Sequence, residues 1–134
     1  PMTRDYRRIL ERKDIDAVVI STPDHWHEKM SVEALEAGKD VYLEKPLAHT
    51  IEQGRRIVET VGRTGRVLQV GSQLLSSIHL HEAKEVIQEG RLGQVTQVKA
   101  WWDTGNLIGA WVKPIPPDAS PATIDWEAFL GPAP

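Results

Sequence analysis

The sequence predicts an α/β fold: half of a doubly wound parallel sheet with helices, followed by the start of a second, α+β domain. Three observations carry this expectation. Short apolar runs at Ala17 to Ile20, Val41 to Leu43 and Val67 to Val70 alternate with helical patterns of about 10 to 15 residues, an order that calls for parallel strands with right-handed crossovers. The first run is apolar at successive positions, which suits a strand covered on both faces by helices. Past Gly71 the texture changes, so residues 1–72 are assigned to the sheet domain and residues 73–134 to the beginning of the next.

Taken in order, Tyr6, Ile9 and Leu10 recur at helical spacing before Lys13-Asp14 breaks the pattern ahead of the first strand. Pro23 ends that strand, and Asp24 is an N-cap for a helix with Trp26, Met30 and Ala34 on one stripe. Gly38 sits where a left-handed C-cap would close it. After the second strand, Thr50 and Gln53 form a capping box that opens a helix with Ile51, Ile57, Val58 and Val61 inward and Gly65 past its end. Leu80, Ala83, Val86 and Ile87 mark another amphipathic helix, stopped by Gly90 and Gly93, and Val95 to Trp102 reads as a long strand. From Gly105 onward Gly, Pro and Trp dominate, and the spacing predicts loop.

A chain of 134 residues can bury one real core and is too short for a complete two-domain enzyme. A net charge of −3 and a pI near 6.0 provide no basic field for a phosphate backbone, so no nucleic acid partner is expected. The absence of cysteine excludes disulfides, thiolate metal sites and cysteine nucleophiles. No apolar run approaches the roughly 20 residues of a membrane span. Pro1 precedes Met2 and the last residues close no element, so both ends read as cuts in a longer, soluble chain. Its compartment, cytoplasm or periplasm, would be set by what precedes Pro1.

In open α/β sheets ligands bind beyond the carboxyl ends of the strands. The segments there are Ser21-Thr22-Pro23-Asp24-His25, Glu44-Lys45-Pro46 and Gly71-Ser72-Gln73, all rich in groups that hydrogen-bond or carry charge. Lys45 can orient a substrate hydroxyl and exchange its proton. Glu44 can accept from a ribose hydroxyl, and Pro46 fixes the backbone beside them. A charged strand exit is also what simple solvation produces.

His25 and His27 form a His-x-His pair after an apolar strand, an arrangement shared with metal-dependent hydrolases. On a helix, however, residues two apart point about 200° around the axis and cannot chelate one ion. The same holds for His79 and His81, so no metal is expected and a surface or capping role is assigned to these histidines. The five tryptophans, four of them from Trp101 onward, are read as packing residues rather than a sugar platform. Gly62-x-x-Gly65 and Gly90-x-x-Gly93 follow helices and read as C-caps, and the chain has no Gly-x-Gly-x-x-Gly loop for a pyrophosphate.

Residues 16–27, 37–47, 65–73 and 90–95 together resemble, in order and spacing, the glucose-fructose oxidoreductase, inositol dehydrogenase and rhizopine-catabolism protein family (Gfo/Idh/MocA). The resemblance covers nearly the full length. It implies the carboxy-terminal half of a Rossmann-type sheet, NAD or NADP as cofactor, and hydride transfer to or from a sugar, cyclitol or related alcohol. It implies that Ser21, Thr22, Pro23 and His25 line the cofactor cleft, with Pro46 and Gln73 beside it. Glu44 would contact the nicotinamide ribose, and Lys45 would lie between nicotinamide and substrate as the catalytic residue. An arginine common shortly after the position of Gln73 is replaced by Leu74-Leu75. The family's first β-α-β unit and glycine loop would precede Pro1, and its later catalytic partners would follow Pro134. The parent would work on a carbohydrate-like small molecule as a homo-oligomer. Two alternatives stand beside this: a non-catalytic assembly module pairing through an open sheet edge, and a metal-dependent hydrolase using His-x-His.

Overall fold

The computed structural model describes residues 2–101 and 114–133. It divides into two compact units, Pro1–Gln73 with Leu130–Pro134, and Leu74–Phe129.

The first unit is built from α1 (Arg7–Leu10), β1 (Ala17–Ile20), α2 (His27–Glu36), β2 (Asp40–Glu44), α3 (Ile51–Thr64) and β3 (Leu68–Gly71). The strands are parallel in the order β1-β2-β3, with Ile20 beside Leu43 and Leu43 beside Val70. This is the expected β-α-β-α-β alternation. Ile20, Ala34, Leu35, Val41, Leu43 and Ile57 form the core, in which Leu35 and Leu43 are fully buried. They join one face of the sheet to α2, and α2 to its neighbour α3.

Only that face is covered, which corrects the expectation of helices on both sides of β1. Val19 and Tyr42, partners in the ladder, point the other way and are 71% and 41% exposed. An apolar run shows that a strand can be buried on both faces; the burial itself needs a second layer of helices, and the described residues of this unit supply a layer on one face only. Tyr42 turns along the open face toward β3, where a Cβ on Gly71 would lie 2.8 Å from its hydroxyl. Glycine at that strand end leaves room for the ring.

Helix boundaries follow the predicted caps with specific departures. Thr50 accepts from the Gln53 amide at 3.2 Å while the Gln53 side chain accepts from the Thr50 amide, closing the capping box. Gly65 and Gly38 take φ of 65° and 76°. At Gly38 the chain makes a Schellman turn: the Gly38 amide donates to Leu35 and the Lys39 amide to Ala34, both at 3.0 Å. Gly62 is not a C-cap, since α3 continues through it. Ile51 and Val58 are exposed rather than inward. They lie about 120° and 100° around the helix from Ile57, off the strip that meets α2.

Lys39 and Asp40 fasten the amino ends of the strands. Lys39 is buried, and its Nζ donates to the carbonyls of Arg12 at 2.6 Å and Ile15 at 2.9 Å. The Asp40 amide donates to Asp16 O, and its carboxylate accepts from the Val67 amide, each at 2.9 Å. Helix α1 is held to α2 by Tyr6, whose hydroxyl donates to Glu33 at 2.6 Å. Burial first, and Glu33 second, push the Tyr6 phenol above its usual value.

In the second unit, α4 (Ile78–Gln88) matches the expected amphipathic helix and ends at Gly90 with φ 73°. The predicted strand at Val95 to Trp102 is not formed over its described part, Val95–Trp101. A strand needs a ladder partner, and the described residues offer none to this run; Val98 is 82% exposed. Trp102 and the residues through Lys113 lie outside the described residues, and with them the first part of the loop expected from Gly105. Within that expected loop, a short helix α5 (Trp126–Leu130) forms, with Trp126 stacked on Phe129 at 5.3 Å. Trp101 and Trp126 are exposed in the single chain. Among the described residues no helix is long and apolar enough to cross a membrane.

Candidate functional site

The register decides which residues meet. Because Ile20 pairs with Leu43, and Glu44 with Gly71, the three parallel strands end level. Their exits, Ser21 to His25, Glu44 to Pro46 and Gly71 to Gln73, therefore lie side by side along one edge. All eight candidate residues, Ser21, Thr22, Pro23, His25, Glu44, Lys45, Pro46 and Gln73, fall on these exits.

Two contacts converge on Glu44. Its Oε2 accepts from the Gln73 side-chain amide and from the Lys45 backbone amide, both at 3.3 Å. These are long bonds, and the carboxylate keeps lone pairs for a further donor. Lys45 and Pro46 are exposed and joined by a cis peptide bond. Among the described residues the Lys45 amine meets no hydrogen-bond or ion-pair partner. Thr22 is half-buried and its Oγ1 is buried without a hydrogen-bond partner. A buried hydroxyl with nothing to bond is costly. An orphaned hydroxyl on the β1 exit and a carboxylate with acceptor capacity on the neighbouring β2 exit fit a ligand that brings hydroxyl and amide groups, as a nicotinamide riboside does.

Asp24 departs from its expected role. It begins a 3-10 turn, Asp24–Trp26, and makes no N-cap bond. Instead its carboxylate meets His49 Nε2 at 2.9 Å. The His49 hydrogen bond, ahead of smaller contributions, holds the Asp24 carboxyl below its usual value. The contact joins the exit of β1 to the loop after Pro46.

His27 departs most from its expected place. A surface or capping role was expected; the ring is 1% exposed. Its Nδ1 lies 2.6 Å from Pro46 O and its Nε2 3.0 Å from Thr22 O. The signal was available: once the 3-10 turn shifts the helix start to His27, the residues His27, Ser31, Ala34 and Leu35 fall at i, i+4, i+7 and i+8 and form the buried strip. The expected stripe of Trp26, Met30 and Ala34 is displaced from it by one residue. His25 is half-buried with its ring 6.5 Å from Trp26. No group of three metal-ligating side chains occurs among the described residues.

Residues 1–72 match the family model described as the oxidoreductase family, NAD-binding Rossmann fold. The chain belongs to the Gfo/Idh/MocA oxidoreductase family. Among solved structures, it resembles an NAD binding oxidoreductase from Klebsiella pneumoniae, with 32% identity and a TM-score of 0.61 over 68% of this chain and 24% of that one. It also resembles a 3-ketoreductase from Actinomadura kijaniata solved with NADP and TDP-benzene, with 31% identity and a TM-score of 0.61 over 66% and 27% of the two chains. A myo-inositol 2-dehydrogenase from Lactobacillus plantarum shares the fold, with a TM-score of 0.63 at 23% identity over 69% and 28%. Among curated relatives, a glycosyl hydrolase family 109 protein from Shewanella sp. (strain W3-18-1) is 51% identical over 59 residues, 44% of this chain and 13% of that protein. The chain thus spans about a quarter or less of the relatives it matches.

Proposed function

We propose that this chain contributes the nicotinamide side of the cleft in an oxidoreductase that moves a hydride between NAD or NADP and a carbon of a sugar, cyclitol or related alcohol. The observation that carries the reading is the level ending of three parallel strands with Thr22, Glu44, Lys45 and Gln73 on adjacent exits, on a chain of this family. Residues 1–72 act as the second half of the dinucleotide-binding domain, and residues 73–134 begin the substrate domain.

When bound, the nicotinamide ring supplies or accepts the hydride. Glu44, already engaged by Gln73, accepts from a ribose hydroxyl. Lys45 orients the substrate hydroxyl and exchanges its proton as the carbon is oxidised or reduced. Ser21, Thr22, Pro23, His25 and Pro46 wall the cleft, with the Thr22 hydroxyl gaining its missing partner there. Among the described residues β1 is an edge strand, which favours a homo-oligomer or pairing with further chain.

The test is nucleotide absorbance in the full-length protein, with sugars and cyclitols offered in both redox directions. Substrate-dependent formation or loss of reduced nucleotide supports the reading, and none across the panel with either nucleotide overturns it. A second reading has one observation behind it, the 51% identity to a glycosyl hydrolase family 109 protein. In that reading the parent cleaves a glycosidic bond, and release of the aglycone distinguishes it from net oxidation.

A further inference from the structure

We propose that His27 is a positioning residue for Lys45: its imidazole, planted on the first residue of α2, holds the Pro46 carbonyl and thereby sets where the lysine leaves β2. The proposal rests on the reading that Lys45 works in the cleft, and it adds a residue outside the strand exits to that machinery.

The geometry is specific. Lys45 is pinned on both sides by backbone contacts: its own amide donates to Glu44 Oε2 at 3.3 Å, and the next carbonyl, Pro46 O, lies 2.6 Å from His27 Nδ1. The second ring nitrogen lies 3.0 Å from Thr22 O, so one side chain ties the exit of β1 to that of β2. Carbonyl oxygens only accept, so at each contact the ring nitrogen has to donate. A neutral ring makes one of the bonds at a time, and both stand together only with a proton on each nitrogen. An apolar side chain of similar volume would fill the space and take the donor away from two part-buried carbonyls. Anchoring on a helix rather than a loop gives the tie the rigidity that a site lysine needs. Asp24 and His49 make a second, more exposed link between the same loops, so losing His27 loosens the segment without freeing it.

Two substitutions separate positioning from mere packing. In His27→Asn the side-chain amide nitrogen falls near the place of Nδ1 and keeps the bond to Pro46. In His27→Gln it falls near Nε2 and keeps only the bond to Thr22. The readouts are the rate of trace acetylation of Lys45 relative to Lys84, by mass spectrometry, and amide exchange at Leu47, Ala48 and His49. The expected result is that His27→Gln speeds exchange at these amides by about tenfold, the effect of one lost hydrogen bond. It also changes the Lys45 to Lys84 ratio by several-fold, whereas His27→Asn stays near the wild type in both. Two outcomes overturn the proposal: both variants fold and match wild type, or both change alike. If neither variant folds, the wild-type ring decides by long-range proton–nitrogen correlation spectra. A slowly exchanging hydrogen on Nδ1 of His27 supports the tie, and an Nδ1 without a hydrogen overturns it. None of these measurements involves a dinucleotide, so the tie and the proposed activity fail or survive separately.

Discussion

Replacing Lys39 with methionine tests what holds the amino ends of the strands in line. Methionine keeps the length and apolar stem of the lysine and removes the ammonium that donates to Arg12 O and Ile15 O at 2.6 and 2.9 Å. Bonds from a charged donor contribute about 1.5–3 kcal/mol each. Relief from burying the ammonium offsets part of the loss. A net destabilisation of about 2–4 kcal/mol follows, a large share of the 5–15 kcal/mol that an ordinary domain has in total. The assay is urea unfolding followed by circular dichroism, with the midpoint falling and the slope unchanged. Amide exchange should rise around Arg12 to Asp16 and stay unaltered at Leu47 to His49, which are anchored at the other strand ends. A loss within the roughly 0.5 kcal/mol typical of surface sites would refute the argument that Lys39 is a structural clamp.

Three further outcomes follow from the same structure. Leu43→Ala, at a fully buried position, should lower stability by about 2–5 kcal/mol, whereas Val19→Thr on the open sheet face should stay within about 0.5 kcal/mol; urea midpoints check both. Hydrogen bonding by Arg12 first holds Asp14 down to about 2, and the hydrogen bond from His49 first lowers Asp24 below the usual carboxylate range. The unfolded chain therefore binds these protons more readily, so the stability they add is complete above the unfolded value and is lost as pH falls through the folded ones. Midpoints for Asp24→Asn should accordingly lie below wild type at pH 6, and the gap should close as acid protonates the carboxylate. Lacking a glycine loop for the pyrophosphate, the 134-residue chain should bind NAD or NADP with a Kd no tighter than about 1 mM; micromolar binding by calorimetry would contradict this.

What the sequence conveyed depended on how local the deciding interaction was. The Thr50–Gln53 box, Gly38 and Gly65 are contacts within one turn, and the residue types alone located them. The three strands were legible because continuous apolar runs alternate with helical periodicity, and the exits at Ser21, Glu44 and Gly71 followed from parallel pairing. Asp24 and His27 were misread because their partners are distant: His49 is 25 positions from Asp24, and Pro46 is 19 from His27. A 3-10 turn, invisible to a count of helical spacing, shifted the buried strip by one residue and turned a histidine expected at the surface into the tie between two strand exits. Val95 to Trp101 shows the converse limit, since strand propensity without a partner yields no strand.

The central claim is that Lys45 acts at the junction of nicotinamide and substrate, and Lys45→Ala in the full-length protein tests it most directly. Turnover and dinucleotide affinity are measured side by side. Turnover should fall by about 100-fold or more, the usual contribution of a positioned acid or base, while the dinucleotide Kd changes by less than about threefold. Unchanged turnover would remove Lys45 from the chemistry. An equal loss in both quantities would make it a cofactor-binding residue only.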